Sequence, residues 1–254
     1  MNSTQKIALV TGGSRGLGRN SAIALSRKGI DVIITYHTQK EEAEKVVKEI
    51  ENNGQKAEAL QLDTGDVSSF DGFVSQLSAL LNHKWNRVQF DILINNAGIG
   101  IHAPLTETTE EQFDTLMNVQ FKGVFFLSQK LYSLIADQGR VINTSTGLTR
   151  FTIEGFGAYS AMKGAIEVLT KYMAKEWGKR GIRVNVVAPG AIATDFGGGS
   201  VRDNDQMREF IASNIALGRV GEADDIGGVV ASLCTDEFGW VNGTRLEVSG
   251  GQTL

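Results

Sequence analysis

Residues 6–28 read Lys6-Ile7-Ala8-Leu9-Val10-Thr11-Gly12-Gly13-Ser14-Arg15-Gly16-Leu17-Gly18, then Arg19 to Lys28 in a helical pattern. A short apolar run, a glycine turn and a helix follow one another. In that arrangement bare backbone N–H groups at a helix start can meet a phosphate. The spacing is Gly-x-x-x-Gly-x-Gly across Gly12, Gly16 and Gly18. It is neither Gly-x-Gly-x-x-Gly nor a Walker loop, which would need Gly-Lys followed by Ser or Thr. A plain tight turn can look the same, but the strand–helix context points to a bound nucleotide. Gly12, Ser14, Arg15, Gly16, Leu17 and Gly18 are the candidate contacts.

Val32–Tyr36 reads as the second strand. Dinucleotide sites that prefer NAD usually place an acid at its tip, to take the ribose hydroxyls. Here the tip is Tyr36-His37-Thr38, without a carboxylate, and Arg15 stands in the glycine turn. An arginine and no acid suit a 2′-phosphate. NADP(H) is the expected cofactor, with NAD(H) possible.

The alternation continues along the chain. Glu42–Asn52 sets Ala43, Val46, Val47 and Ile50 on one helical face. Ala57–Leu62 is a strand ending at Asp63, whose carboxylate could take an adenine amino group or cap the next segment. Ser68–Leu81 is a helix and Asn82–Gln89 an enlarged surface loop. Phe90–Ile94 leads to Asn95-Asn96-Ala97-Gly98, small and amide residues that let the chain pass close to a flat ligand. A helix over roughly 110–134 holds Asn118 inside an apolar stretch, either a satisfied core amide or a site residue. Arg140–Thr144 leads to Ser145-Thr146-Gly147 and an aromatic loop, 148–157, able to wall an apolar pocket. Arg183–Ala188 precedes Pro189-Gly190-Ala191-Ile192-Ala193-Thr194. Residues 196–215 form a lid, with its helical part at Met207–Ile215. Asp224–Cys234 is the last helix and Arg245–Val248 the seventh strand.

Strand and helix alternate throughout, which predicts an α/β fold. It is a single doubly wound Rossmann-type domain over residues 1–254, its seven-stranded parallel sheet covered on both faces. Such sheets bind ligands at the strand C-terminal ends, where the glycine turn, Asn95–Gly98, Ser145/Thr146 and Pro189–Thr194 converge.

Within the long helix at Ala158–Lys179, Tyr159 and Lys163 lie one turn apart and point the same way. A free phenol, with a pKa near ~10, is a poor acid at neutral pH. A fixed cation beside it favours the phenolate and is expected to lower that value.

Composition narrows the partners. The chain has 254 residues, 41% of them hydrophobic, with net charge −4. Neither nucleic acid nor an anionic membrane is an expected partner. The single cysteine, Cys234, permits no internal disulfide and fits a reducing compartment. An apolar strand begins within six residues, leaving no room for a signal peptide, and no run suits a membrane span. The expected location is cytoplasmic. His37, His83 and His102 lack metal-ligand spacing, so no metal is expected. Trp177 and Trp240 are expected to be packing residues.

Four motifs in this order resemble the short-chain dehydrogenase/reductase family, from about Lys6 to Leu254: Thr11–Gly18, Asn95–Gly98, Tyr159-x-x-x-Lys163 and Pro189-Gly190. The look is nearest to members like 3-oxoacyl-carrier-protein reductase. The resemblance implies that Tyr159 is the general acid, protonating a carbonyl oxygen as hydride arrives from the nicotinamide. Lys163 would lower the Tyr159 pKa and hold the nicotinamide ribose. Asn118 would anchor a relay water. Ile192 and Thr194 would hold the carboxamide, and Asp63 with Thr64 the adenine. It also implies a homotetramer, or a homodimer.

Two departures matter. The family's catalytic serine position, thirteen before the tyrosine, is Thr146 here, with Ser145 as the alternative hydroxyl. The basic residues that meet an acidic carrier give way to Ala136-Asp137-Gln138-Gly139, although Arg180 remains. A free small or medium ketone is therefore preferred as substrate over an acyl carrier. The alternatives are a 3-oxoacyl-carrier-protein reductase and a non-catalytic dinucleotide-binding regulator. Intact Tyr159, Lys163 and Asn118 speak against the latter.

Overall fold

The computed structural model describes residues 5–254. Its strands are β1 (Ile7–Val10), β2 (Asp31–Tyr36), β3 (Ala57–Gln61), β4 (Phe90–Asn95), β5 (Ile135–Thr144), β6 (Arg183–Pro189) and β7 (Arg245–Val248). They form one sheet in the order β3-β2-β1-β4-β5-β6-β7, and every pairing is parallel. The chain winds outward from β1 to β3, returns to β4 and winds out the other way. The strand ends therefore part between β1 and β4, which opens a crevice at their C-terminal edge.

Alternation along each strand builds two cores. Ala8 and Val10 of β1 face one side of the sheet. There they meet α1 (Gly16–Arg27), α2 (Lys40–Asn52) and the last helix, Ala223–Leu233, through Leu25, Val46, Ile50 and Val230. Ile7 and Leu9 face the other side, against Phe70, Leu77 and Leu81 of α3 (Phe70–Trp85) and Leu127 and Leu131 of α5 (Gly123–Leu131). Met173 of α6 (Gly157–Trp177) closes that layer. Both faces of the strands are buried, so they read as unbroken apolar runs. No helix among the described residues is long and apolar enough to cross a membrane.

Three expectations need correcting. The segment expected as a loop from Asn82 is helical to Trp85, because its polar residues have partners. The Trp85 indole donates to buried Asp31 at 2.8 Å, and Lys84 pairs with Glu58 at 3.0 Å. The helix expected over 110–134 is α4 (Glu110–Met117), a π turn over Asn118–Lys122, then α5, with a 3₁₀ turn at Tyr132–Leu134. Gly123 donates its N–H to the Asn118 carbonyl, closing that wider turn. A side chain at Gly123 would collide with the Thr64 carbonyl, so the helix passes the end of β3 at backbone contact. Trp240 packs against nothing: it is fully exposed. Trp177 stacks on Tyr132, at 4.9 Å between ring centroids.

Leu9 is completely buried between β2 and β4. Leu9→Ala is expected to lower the unfolding free energy by about 2–5 kcal/mol. Urea unfolding followed by far-UV circular dichroism would show this as a lower midpoint at unchanged slope.

Candidate active site

The crevice between β1 and β4 is held by one threonine. The Thr11 hydroxyl accepts the N–H groups of Asn96 and Ala97, each at 3.0 Å, and Asn96 Nδ2 donates to the Thr11 carbonyl at 3.0 Å. Gly12, with φ of 64°, presses against Ala97, and a side chain at Gly18 would collide with the Gly12 carbonyl. This contact sets the start of α1 across the end of β1. Arg15, the N-cap, makes no side-chain cap, and the first turn of α1 carries no acid. The first N–H groups of α1 thus lack an intrahelical partner and face the cleft at its positive end.

The cleft runs from the tip of β2 to α6. At the first end stand Arg15, exposed, with His37, Thr38 and Asp63. The Asp63 carboxylate accepts the Gly65 N–H at 2.8 Å and lies 3.5 Å from His37 Nε2. Gly12, Ser14, Gly16 and Leu17 line the middle, opposite Ala97 and Gly98. Thr64, Pro189, Gly190, Ile192 and Thr194 complete its walls toward Tyr159 and Lys163. A long slot with a helix N-terminus at its middle fits a dinucleotide whose diphosphate bridges two nucleosides.

Four of the expected residues stay out of the lining. Gly18 serves the turn itself, and Tyr36 packs against the core beneath β2. Asn95 is buried and donates to Ser128 Oγ at 3.0 Å and to Asn143 Oδ1 at 2.8 Å. It braces the sheet. Asn118 is half-buried and does not reach the cleft, which Gln120 lines instead. Residues two apart on a helix point to nearly opposite sides, so only one of the two can face inward. Gln120 is fully buried, donates Nε2 to the Ile99 carbonyl and leaves Oε1 unpartnered. In sequence Gln120 carries the same signal as Asn118, a polar residue inside an apolar helical stretch, and only the fold separates the two. Gln39 and Phe196 also line the cleft, the latter with its ring 5.8 Å from that of Tyr159.

At the far end, Tyr159 and Lys163 project from the first turns of α6, 6% and 4% exposed. Lys163 Nζ donates to the Thr144 carbonyl at 2.8 Å and stands 5.9 Å from the Tyr159 ring centroid. The expected lowering of the phenol by this ammonium is not what the geometry produces. Burial pushes the Tyr159 phenol up, and the Thr146 side chain facing it draws it partly back. Burial also pushes Lys163 down to about 7, so the charge meant to act on the phenol is itself disfavoured. Ser145 turns away: its hydroxyl donates to Glu167 Oε1 at 2.7 Å.

Comparison with known proteins agrees with this architecture. Residues 12–253 match the family described as enoyl-(acyl carrier protein) reductase. Versicolorin reductase stcU of Emericella nidulans is 34% identical over 256 residues, covering 97% of this chain and 95% of that protein. The chain belongs to the short-chain dehydrogenase/reductase family. Two solved structures of reductases superpose closely. LugOII, a promiscuous reductase catalysing keto-reduction at C1 in lugdunomycin biosynthesis, has a TM-score of 0.93 at 38% identity, covering 99% of each chain. The angucycline C-6 ketoreductase LanV with bound NADP has a TM-score of 0.92 at 35% identity, covering 98% of this chain and 95% of LanV. As a family member the protein is an NAD(P)-dependent oxidoreductase, and its cleft takes the nicotinamide dinucleotide.

The depressed Lys163 pKa has a consequence for the protein without dinucleotide. An unfolded lysine keeps its proton to about 10.5, whereas the folded one loses it near 7. Between those values the unfolded state binds more protons, so stability rises with pH through this window, and the gain is lost again as pH falls back from 10.5 to about 7. Lys163→Met removes the group. The melting temperature of wild type should gain on that of the variant as pH rises from 7 to 10, and a constant gap would show that burial leaves Lys163 unshifted.

Proposed function

We propose that the protein reduces a ketone to a secondary alcohol with NADPH, and runs the reverse reaction with NADP. The observation that carries this reading is the Thr146 side chain set against the buried Tyr159 phenol, with Lys163 one turn further along α6. When bound, the nicotinamide supplies the hydride. Tyr159, held in its protonated form by burial, gives its proton to the carbonyl oxygen. Thr146 donates a hydrogen bond to the same oxygen and fixes its position. Lys163 holds the ribose hydroxyls and returns a proton to the phenolate. Gln120, rather than Asn118, anchors the water that resupplies Lys163, since its buried Oε1 has an acceptor position to fill.

The preference for NADP rests on Arg15, whose exposed guanidinium shares one end of the cleft with His37 and Thr38. Tyr36, His37 and Thr38 at the β2 tip include no acid, and the Asp63 carboxylate at that end lies 3.5 Å from His37 Nε2. The relatives LugOII and LanV act in keto-reduction, and LanV was solved with NADP. LanV was also solved with rabelomycin. The catalytic end is walled by Phe156 and Phe196 around Tyr159, with ring centroids 6.4 and 5.8 Å from its own. Aromatic walls suit a flat ring ketone. Phe196 begins the segment 196–215, which we read as the lid, with Gly197 and Gly198 in left-handed conformations behind it.

An acyl carrier is a poorer fit. Arg180, the remaining basic residue of that surface, is paired with Asp137 at 2.7 Å and bonded to the Tyr132 and Ile135 carbonyls. A non-catalytic binder has no use for Lys163, whose burial opposes its charge. We further read the protein as a cytoplasmic homotetramer. Phe125 of α5 and Val168 and Tyr172 of α6 expose apolar surface on one side, and Trp240 and Leu254 do so elsewhere. The buried free thiol of Cys234 suits a reducing compartment.

Two experiments test the assignment. Steady-state kinetics with NADPH and an aromatic ring ketone should show kcat reduced by about 10²–10⁴-fold in Tyr159→Phe and about 10²–10³-fold in Thr146→Ala. Gln120→Ala should lower kcat, whereas Ser145→Ala and Asn118→Ala should leave it within a few-fold. The reverse order of Thr146 and Ser145 would reassign the hydroxyl. Fluorescence titration should give tighter NADPH than NADH binding, with the gap collapsing in Arg15→Ala. Equal binding by wild type would remove the 2′-phosphate reading.

A further inference from the structure

Behind the catalytic loop lies a carboxylate that the proposed mechanism does not use. Glu167 sits one turn after Lys163 on α6, with its side chain 19% exposed. Its Oε1 accepts three hydrogen bonds: from Ser145 Oγ at 2.7 Å, Thr149 Oγ1 at 2.6 Å and Arg245 Nε at 2.8 Å. Ser145 and Thr149 flank Thr146 in sequence. Both of their hydroxyls are thereby drawn backward, away from the phenol. Arg245, reaching across from β7, also donates Nη2 to the Thr146 carbonyl at 3.2 Å, and the single Thr149 hydroxyl proton is shared between Glu167 at 2.6 Å and that carbonyl at 2.9 Å. Arg245 is itself fixed by Glu247 at 3.0 Å. The loop is gripped on both sides of Thr146 and at its carbonyl, while its hydroxyl, which accepts the Leu148 N–H at 3.3 Å, keeps its own proton for the cleft.

We propose that Glu167, backed by Arg245, is a positioning residue that fixes Thr146 toward Tyr159. This rests on the reading of Thr146 as the hydroxyl that donates to the substrate oxygen. A threonine needs such a grip more than a serine would, because its methyl leaves fewer rotamers that aim the hydroxyl correctly. Charge-assisted hydrogen bonds to a carboxylate are the stronger kind, and three on one oxygen define the loop position closely. A displacement of about 1 Å at a donor aimed at a reacting oxygen can cost about a hundredfold in rate. Glu167 and Arg245 themselves stand outside the lining of the cofactor cleft, so their replacement bears on kcat and leaves NADPH affinity alone.

The test is a double-mutant cycle read by kcat, with NADPH affinity measured by fluorescence and folding by thermal melts. Glu167→Leu should lower kcat by about ten- to a hundredfold with NADPH Kd unchanged. Glu167→Gln, which still accepts from both hydroxyls, should recover most of that loss. Arg245→Met provides a second entry to the same network should Glu167→Leu fail to fold. The decisive double variant is Glu167→Leu combined with Thr146→Ala, or Arg245→Met combined with Thr146→Ala. If Glu167 acts through Thr146, the double variant is no slower than Thr146→Ala alone. Losses that multiply would overturn the positioning role while leaving Thr146 as the hydroxyl, as would an unchanged kcat in both Glu167→Leu and Arg245→Met. An unchanged kcat in Thr146→Ala itself would remove the hydroxyl assignment, and this proposal with it.

Discussion

The molecule depends on the divergence of β1 and β4. Parallel strands wound outward in both directions from this point leave their C-terminal ends unbridged, and something must hold the two loops at a fixed spacing. Thr11 does so by accepting two consecutive N–H groups from the loop after β4. Gly12 and Gly18 let the first turn fold on itself beside it. With the spacing set, α1 presents its free N-terminus to the crevice, and the ends of β5 and β6 bring Thr146 and Pro189 to the same edge. The cleft is a consequence of topology before it is a consequence of any one side chain.

The elements were largely legible because their signals are local. Apolar runs ending in glycine mark the strands, and β7 spans Arg245–Val248 as read. What escaped was set by tertiary partners. His83, Lys84 and Trp85 look like loop residues in one dimension, but Asp31 and Glu58 receive Trp85 and Lys84 and so extend α3. The π turn after Met117 is the more consequential case. A helix read at a uniform 3.6-residue period puts no special weight on Gln120. The structure turns it inward, beside a glycine that lets the wider turn touch the Thr64 backbone. Extra-residue turns of this kind are frequent at functional sites, and periodicity alone does not find them.

The cleft itself was legible in its outline and less so in its division of labour. Asn95 and Asn96 are neighbours in one motif, yet Asn95 braces β4 against β5 and Asn96 ties β4 to the glycine turn. Ser145 and Thr146 are likewise adjacent, and the difference between them comes from Glu167, twenty-two residues away on another element. Adjacent strand-end residues point to opposite sides, so a partner on one side settles which of the pair faces the ligand.

The electrostatics of the catalytic end follow from that packing. A phenol and an ammonium on adjacent turns suggest mutual stabilisation of their charged forms. Both, however, are almost wholly removed from water, and removal penalises the phenolate and the ammonium alike. The larger effect is desolvation, which keeps the phenol protonated and brings the lysine toward neutrality. A proton donor that holds its proton until a carbonyl oxygen gains charge is what reduction requires. A lysine poised near neutral pH is suited to passing a proton on to the phenolate left behind. Against that burial the Thr146 side chain pulls the phenol toward ionisation. Its orientation therefore bears on the acidity of Tyr159 and, in the mechanism we propose, on the placement of substrate, so that a group fixing that orientation would act on both.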